Sequence, residues 1–287
     1  MKVRRVDRDR AGFPPLLAQI PDPPSRLWVR GEAELAVLAE PAVAIVGARA
    51  CSGYGRSVAR LLASEAAAAG AVVVSGLARG VDGEAHRGAL AAGGPTVAVL
   101  GCGVDRDYPA AHAQLARSIV DSGGLIVSEY EPGIEPAPWR FPARNRIIAG
   151  LARATVVVEA RERSGALITA DFALEDGRDV LAVPGEITSA LSAGTNSLLR
   201  QGATPATCAA DVLESIGIER AAAAPRLPDD GVGKALLDAL AAGASTLDEL
   251  SRTTGLQAGE LAGALAILEL EGIVSVDEGM VRSTIAR

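Results

Sequence analysis

The apolar residues of this chain gather into short, β-branched runs: VAIVG (43–47), AVVVSG (71–76), TVAVLG (96–101), LIVSEY (125–130), TVVVEA (155–160) and VLAVPG (180–185). Each run is continuous rather than alternating, the pattern of a strand buried on both faces. Between them, alanine- and leucine-rich segments repeat with helical period, as in GRSVARLLASEAAAAG from Gly55 to Gly70. The alternation predicts an α/β fold, a Rossmann-like and mostly parallel sheet with helices on both faces. Its functional loops should collect at the carboxyl ends of the strands.

The flanks read differently. Residues 1–40 include FPPLLAQIPDPPSRLWVRG, whose five prolines predict an irregular leader packed on the core by Leu16, Leu17, Ile20, Leu27 and Trp28. The Rossmann-like domain is expected over 41–218, and the alanine- and proline-rich ERAAAAPRLPDD (219–230) reads as a linker. Over 231–287, GKALLDALAAG, STLDELSRTTG, QAGELAGALAILELEGIV and SVDEGMVRS read as helix, helix–turn–helix and hairpin, a small C-terminal winged helix. Ser245 or Thr246 can cap the second of these helices with Glu249 reaching back, and Gly255 ends it.

Charge narrows the possible partners. Lysine and arginine number 28 against 35 acids, a net of −7, so any polyanion site must be a local patch. Residues 225–287 hold ten acids and five cations, and the would-be recognition helix offers Gln257 and Glu260. A winged helix that reads DNA needs cations facing phosphates, so a protein-contacting or regulatory module is expected instead. Cys51, Cys102 and Cys208 lie far apart without a CxxC pair, suggesting neither a disulfide framework nor zinc. With no signal-like apolar block and no run of membrane-spanning length, a reducing cytoplasm without membrane attachment is the expectation.

The candidate chemistry lies in the loops. After the first run, GARACSGYGR places glycines at 47, 53 and 55, which is neither GxGxxG nor GxxxxGK[ST], so a dinucleotide or ATP cofactor is disfavoured. The free N–H groups around Gly53 and the helix dipole still favour an anion, with Arg49, Ser52 and Tyr54 as further donors. SGLARGVDGEAHRGAL sets Arg79 beside Arg49, with Asp82 placed to cap a helix and His86 four residues on, where the two could meet. Without a second histidine nearby, a cap and hydrogen-bonded pair outweighs an acid/base or metal pair.

The densest cationic stretch is RFPARNRIIAGLA (140–152), which puts Arg140, Arg144 and Arg146 at the rim, converging with Arg49 and Arg79. Guanidinium groups chelate successive phosphates, Asn145 adds a neutral hydrogen bond, and Phe141 or Trp139 can stack on an unpaired base. That combination suits single-stranded nucleic acid better than duplex. The same residues also fit Phe141 in the core with the arginines paired to Glu131 and Glu135. Further on, Ser164 and Gly165 open a helix carrying Thr169, a second anion seat, and Gly194, Thr195 and Asn196 precede a short helix. No serine has a visible histidine and acid partner for a hydrolase triad.

Taken together, IVGARxxSxYG, SGLARGVDGEAHRGAL, FPARNRIIAGL, SGALITADFALEDGRDVLAVPG and GTNSLLRQGA resemble the DNA-processing protein A family, DprA, also called Smf, in order over roughly residues 13–210. FPPLL is similar to the family's YPPLL-type leader, with Phe13 where tyrosine is usual. The resemblance implies a non-catalytic protein that binds and protects single-stranded DNA and loads the recombinase RecA in natural transformation and recombination. It also implies a homodimer formed through the Rossmann-like domain, no cofactor, and a DNA pocket built on Arg49, Phe141, Arg144, Asn145 and Arg146. An N-terminal helical domain found in several members is not expected here, since residues 1–12 alone precede FPPLL. The competing enzyme reading is a nucleotide or nucleoside-phosphate hydrolase like the lysine-decarboxylase-like phosphoribohydrolases. Their PGGxGTxxE stretch has no counterpart, and ERSGALITADFALE stands in the comparable place. A transcription regulator acting through the winged helix is weakened by that module's acidity.

Overall fold

The computed structural model describes residues 2–218, 231–243, 246–270, 274–277 and 280–283. They fall into two compact units that meet in sequence between Arg220 and Ala221, and the linker expected at 219–230 lies outside the described residues.

In the first unit all six β-branched runs are strands: β3 (Ala42–Val46), β4 (Val72–Ser75), β5 (Thr96–Val99), β6 (Leu125–Ser128), β7 (Ala154–Val157) and β8 (Asp179–Ala182). Apart from the first residue of β8, every position in them is buried. They pair in parallel, and the sheet runs β1-β2-β6-β5-β4-β3-β7-β8-β9, where β1 is Val3–Asp7, β2 is Arg26–Arg30 and β9 is Thr204–Pro205. Strand order reverses between β3 and β7, which opens a crevice at their carboxyl ends. The helices α1 (Gly53–Ala68), α2 (Val81–Ala91), α3 (Ala113–Asp121), α4 (Arg140–Gly150), α5 (Gly165–Glu175), α6 (Ala193–Arg200) and α7 (Ala209–Ser215) complete this unit. Alanines on α1 and α2 let the two approach so closely that a Cβ on Gly88 would strike the Arg60 carbonyl.

The leader departs from its expectation. Leu17, Ile20 and Leu27 are buried as anticipated, Leu16 and Trp28 are only half-buried, and Phe13 is buried as well, but β1 and β2 pair antiparallel, and β2 pairs antiparallel with β6, aligning Trp28 with Ser128. VRRVD and RLWVR carry arginines that hide a strand pattern, and Arg30, 2% exposed, donates from one terminal nitrogen to the Val104 carbonyl and Asp107. Gly194, Thr195 and Asn196 lie within α6 rather than before it, and the Asn196 amide bonds both the N–H and the carbonyl of Gly185.

The second unit holds α8 (Gly231–Ala241), α9 (Leu247–Thr254), α10 (Ala258–Leu270) and the antiparallel pair β10 (Val274–Asp277) and β11 (Met280–Ser283), a winged helix. Thr246 caps α9 in a reciprocal box with Glu249, and Gly255 ends it in the left-handed region at φ 75°. Leu236, Leu250, Leu261, Leu265, Leu268, Val274 and Val281 form its core. At the start of α10, the Glu260 carboxylate accepts from the Gln257 N–H, which ties up one of the two groups that would face a partner.

Candidate nucleic-acid interface

Two loops set the geometry at the carboxyl rim. Beyond β4 the chain turns through Leu77, held in the left-handed region at φ 56° while His112 Nδ1 donates to its carbonyl at 2.9 Å. At Gly80, with φ 75°, a Cβ would run into the carbonyls of Ala48 and Arg49, so only glycine lets the loop after β4 lie against the loop after β3. Arg49 and Arg79 therefore share one rim, both exposed, and Arg79 makes no ion pair among the described residues.

Phe141, in the first turn of α4, closes against Gly101 just beyond β5; a Cβ there would stand 3.1 Å from its ring. Tyr108 stacks on Phe141 with ring centroids 5.2 Å apart and planes at 26°, and the Arg49 guanidinium lies over the Phe141 ring at 5.7 Å. Two clefts, of about 240 Å³ and about 630 Å³, have Arg49, Ala78, Phe141 and Arg144 in common and so form one continuous trough. The first also reaches Asn145, Ser164, Gly165 and Thr169, where Ser164 caps α5. The second takes in Arg79 and Tyr108. Tyr108 was not singled out from sequence; the Tyr-Pro step in the loop after β5 is the signal that could have found it.

Four of the expected site residues line neither cleft. Arg146 is not a free cation. It forms a two-pronged ion pair with Glu129 at 2.8 Å and bonds the Asp22 carboxylate at 3.0 Å, and Glu129 holds its guanidinium still more firmly protonated. Its partners are thus Glu129 and Asp22, not Glu131 or Glu135. Arg140 turns aside, its guanidinium 4.9 Å from both the Tyr130 and Trp139 rings and bonded to the Glu135 carbonyl.

Ser52 and Gly53 lie at the amino end of α1, and there the anion is already present. Ser52 donates both its N–H and its hydroxyl to Glu159, a carboxylate only 4% exposed, while Gly55 N–H donates to the Ser52 oxygen at 3.0 Å. Tyr54 likewise gives its hydroxyl to the Pro184 carbonyl.

Arg144 lines both clefts from beneath. It is 4% exposed and donates to the carbonyls of Gly76 and Val99. Burial pushes its guanidinium down to about 10, with Asp82 opposing and Arg49 reinforcing the shift, so it stays charged at neutral pH. Asn145 donates to the Gly165 carbonyl at 3.0 Å, tying α4 to the start of α5.

Asp82 and His86 do not meet. Asp82 lies in the first turn of α2 and accepts from the Ala78 N–H, and burial raises its carboxyl pKa against the pull of Arg144. Gly80, not Asp82, is the cap residue. His86 Nδ1 lies 2.7 Å from the Thr96 hydroxyl, whose own proton goes to the Val73 carbonyl, so the imidazole donates there. Its Nε2 is buried without a partner, and burial lowers the pKa from 6.5 to about 3.

An unfolded chain therefore binds the extra proton first. Stability is full above pH 6.5 and falls as pH drops from there towards 3. NMR titration should find the His86 imidazole neutral down to acid unfolding, and protonation near pH 6 in the folded state would contradict this environment. Among the described residues no group of three or more His, Cys, Asp or Glu could hold a metal, and no helix is long and apolar enough to cross a membrane.

The family model for DNA recombination-mediator protein A matches residues 5–217, and that for the DprA winged helix domain matches residues 220–280. A DprA-type relative from Mycobacterium tuberculosis is 45% identical over 264 residues, covering 89% of this chain and 68% of its own. The DNA processing protein DprA of Streptococcus pneumoniae is 46% identical over 202 residues, 70% of each chain. Among solved structures, DprA from Streptococcus pneumoniae aligns with a TM-score of 0.69 at 43% identity, over 75% of this chain and 74% of that one. DNA processing protein A from Helicobacter pylori, described for its single-stranded DNA binding mode, aligns at 0.67 and 30% identity over 75% and 96%.

Proposed function

Since the chain belongs to the DNA recombination-mediator protein A family, we propose that it binds single-stranded DNA in the trough along the β3–β5 rim and acts as a non-catalytic recombination mediator. The observation that carries this reading is the meeting of both clefts at Arg49 and Phe141, a cation and an aromatic ring side by side at the mouth of the fold. Arg49 and Arg79 supply phosphate contacts, while the α5 amino end at Ser164 and Gly165, with Thr169 below it, supplies a dipole and neutral donors. Arg144 and Asn145 line the trough with their side chains committed to main-chain carbonyls, and Arg146, outside both clefts, holds it in shape.

The absence of catalysis is supported by the two histidines, both buried and both committed, one to Thr96 and one to the Leu77 carbonyl. Protection of the strand and its transfer to RecA, by a homodimer assembled through the Rossmann-like unit, extend the reading as the family resemblance implies. The acidic winged helix is assigned to protein contact or regulation.

Titration of single-stranded and duplex oligonucleotides at two salt concentrations tests the central claim. Single strands should bind more tightly, with log K falling against log salt by about 0.7 for each phosphate engaged. Equal retention of duplex, or binding indifferent to salt, would remove the basis for the trough.

A further inference from the structure

We propose that Trp139 is a second nucleobase platform, placed beside the Arg49–Phe141 trough so that one strand continues along the rim to the end of β6. The proposal rests on the single-strand reading above and extends it to a residue outside both clefts.

Strands β3, β4, β5 and β6 are consecutive neighbours in the sheet, spaced about 4.8 Å apart. Arg49 follows β3, Arg79 follows β4, Phe141 lies against Gly101 just after β5, and Tyr130 lies two residues beyond β6. Trp139 meets the Tyr130 ring edge-on at 6.4 Å and 85°. The groups thus follow one another in strand order, cations first and aromatic rings after, as a strand with stacked bases would need them.

Trp139 is 63% exposed although it is among the largest apolar groups in the chain. It is nevertheless held. The Arg140 guanidinium lies 4.9 Å from both its ring and that of Tyr130, and the Glu135 carbonyl anchors that guanidinium in turn. An aromatic face fixed in advance by a cation, yet open to solvent, loses little freedom when a base stacks on it. The acids nearby do not repel a phosphate unopposed: Glu131 lies 3.7 Å from Arg26, and Glu135 pairs with Arg106 at 2.8 Å.

The chain has two tryptophans, and the other, Trp28, is half-buried in β2 against the core, so emission can report on Trp139. Oligothymidine should quench the tryptophan fluorescence of the full chain in a saturable way, and the Trp139→Ala variant should lose that response. Its affinity for a strand of about ten nucleotides should fall roughly tenfold, while a strand of about three, filling only the trough, binds as before. Trp139→Phe should restore most of the loss. Binding measured by anisotropy with no change in emission, or an equal loss for both lengths, would overturn the platform and leave the trough intact. No binding of any strand by the parent chain would instead remove the single-strand reading and the platform with it.

Discussion

Replacing Arg49 by alanine lowers affinity for a single strand by roughly ten- to a hundredfold, the range for losing one charge-assisted hydrogen bond of about 1.5–3 kcal/mol. Arg49 is exposed, stands over the Phe141 ring, and is shared by both clefts. On the proposed reading it is the cation every bound strand would pass. If the contact is with phosphate, as proposed, the loss should be similar for all base sequences, and the salt dependence should flatten by about one engaged phosphate. The fold itself should be little affected, with a stability change within about 0.5 kcal/mol, since the side chain makes no ion pair among the described residues. An Arg49→Ala protein with parental stability and parental affinity would place the strand elsewhere.

The second large effect is on stability. Arg144→Ala should destabilise the first unit by about 3–5 kcal/mol, the usual result of deleting one partner of a buried charged pair. Its guanidinium satisfies the carbonyls of Gly76 and Val99 and is the main charge offsetting the burial of Asp82, so removal leaves both carbonyls without that donor and Asp82 without its counter-charge. Urea denaturation should show a clear fall in midpoint, and any loss of DNA binding should follow the loss of folded protein. If the variant unfolds at the parental urea concentration yet no longer binds DNA, Arg144 is a direct DNA contact and its structural assignment fails.

The contrast between Arg49 and Arg144 marks where sequence reasoning reached its limit. The six β-branched runs, the helices between them and the winged helix are local patterns, and the structure has each in place. That the loops after parallel strands collect at one rim likewise follows from chain alternation, so Arg49, Arg79 and Phe141 were legible together, although the strand order was not. What was not legible depends on distant partners. The strands β1 and β2 are recognisable only once β6 offers its edge to Trp28 and Val29. Arg146 reads as a free cation until Glu129 and Asp22 fold onto it from either side. His86 and Asp82 have helical spacing for contact, yet Thr96 and the Ala78 N–H claim them instead. Tyr108 enters the trough on a loop fastened through Asp107 to Arg30, 77 positions away.

Another distant partner, Glu159, bears on why an acidic protein concentrates arginines on this rim. At the amino end of α1, where doubly wound folds commonly seat a pyrophosphate, Glu159 reaches in and takes both Ser52 donors for itself. The seat is filled from within by a tethered anion, which a ligand would first have to displace. With the main-chain cradle at α1 closed, attraction for a polyanion falls to long side chains projecting over the edge and to the amino end of α5.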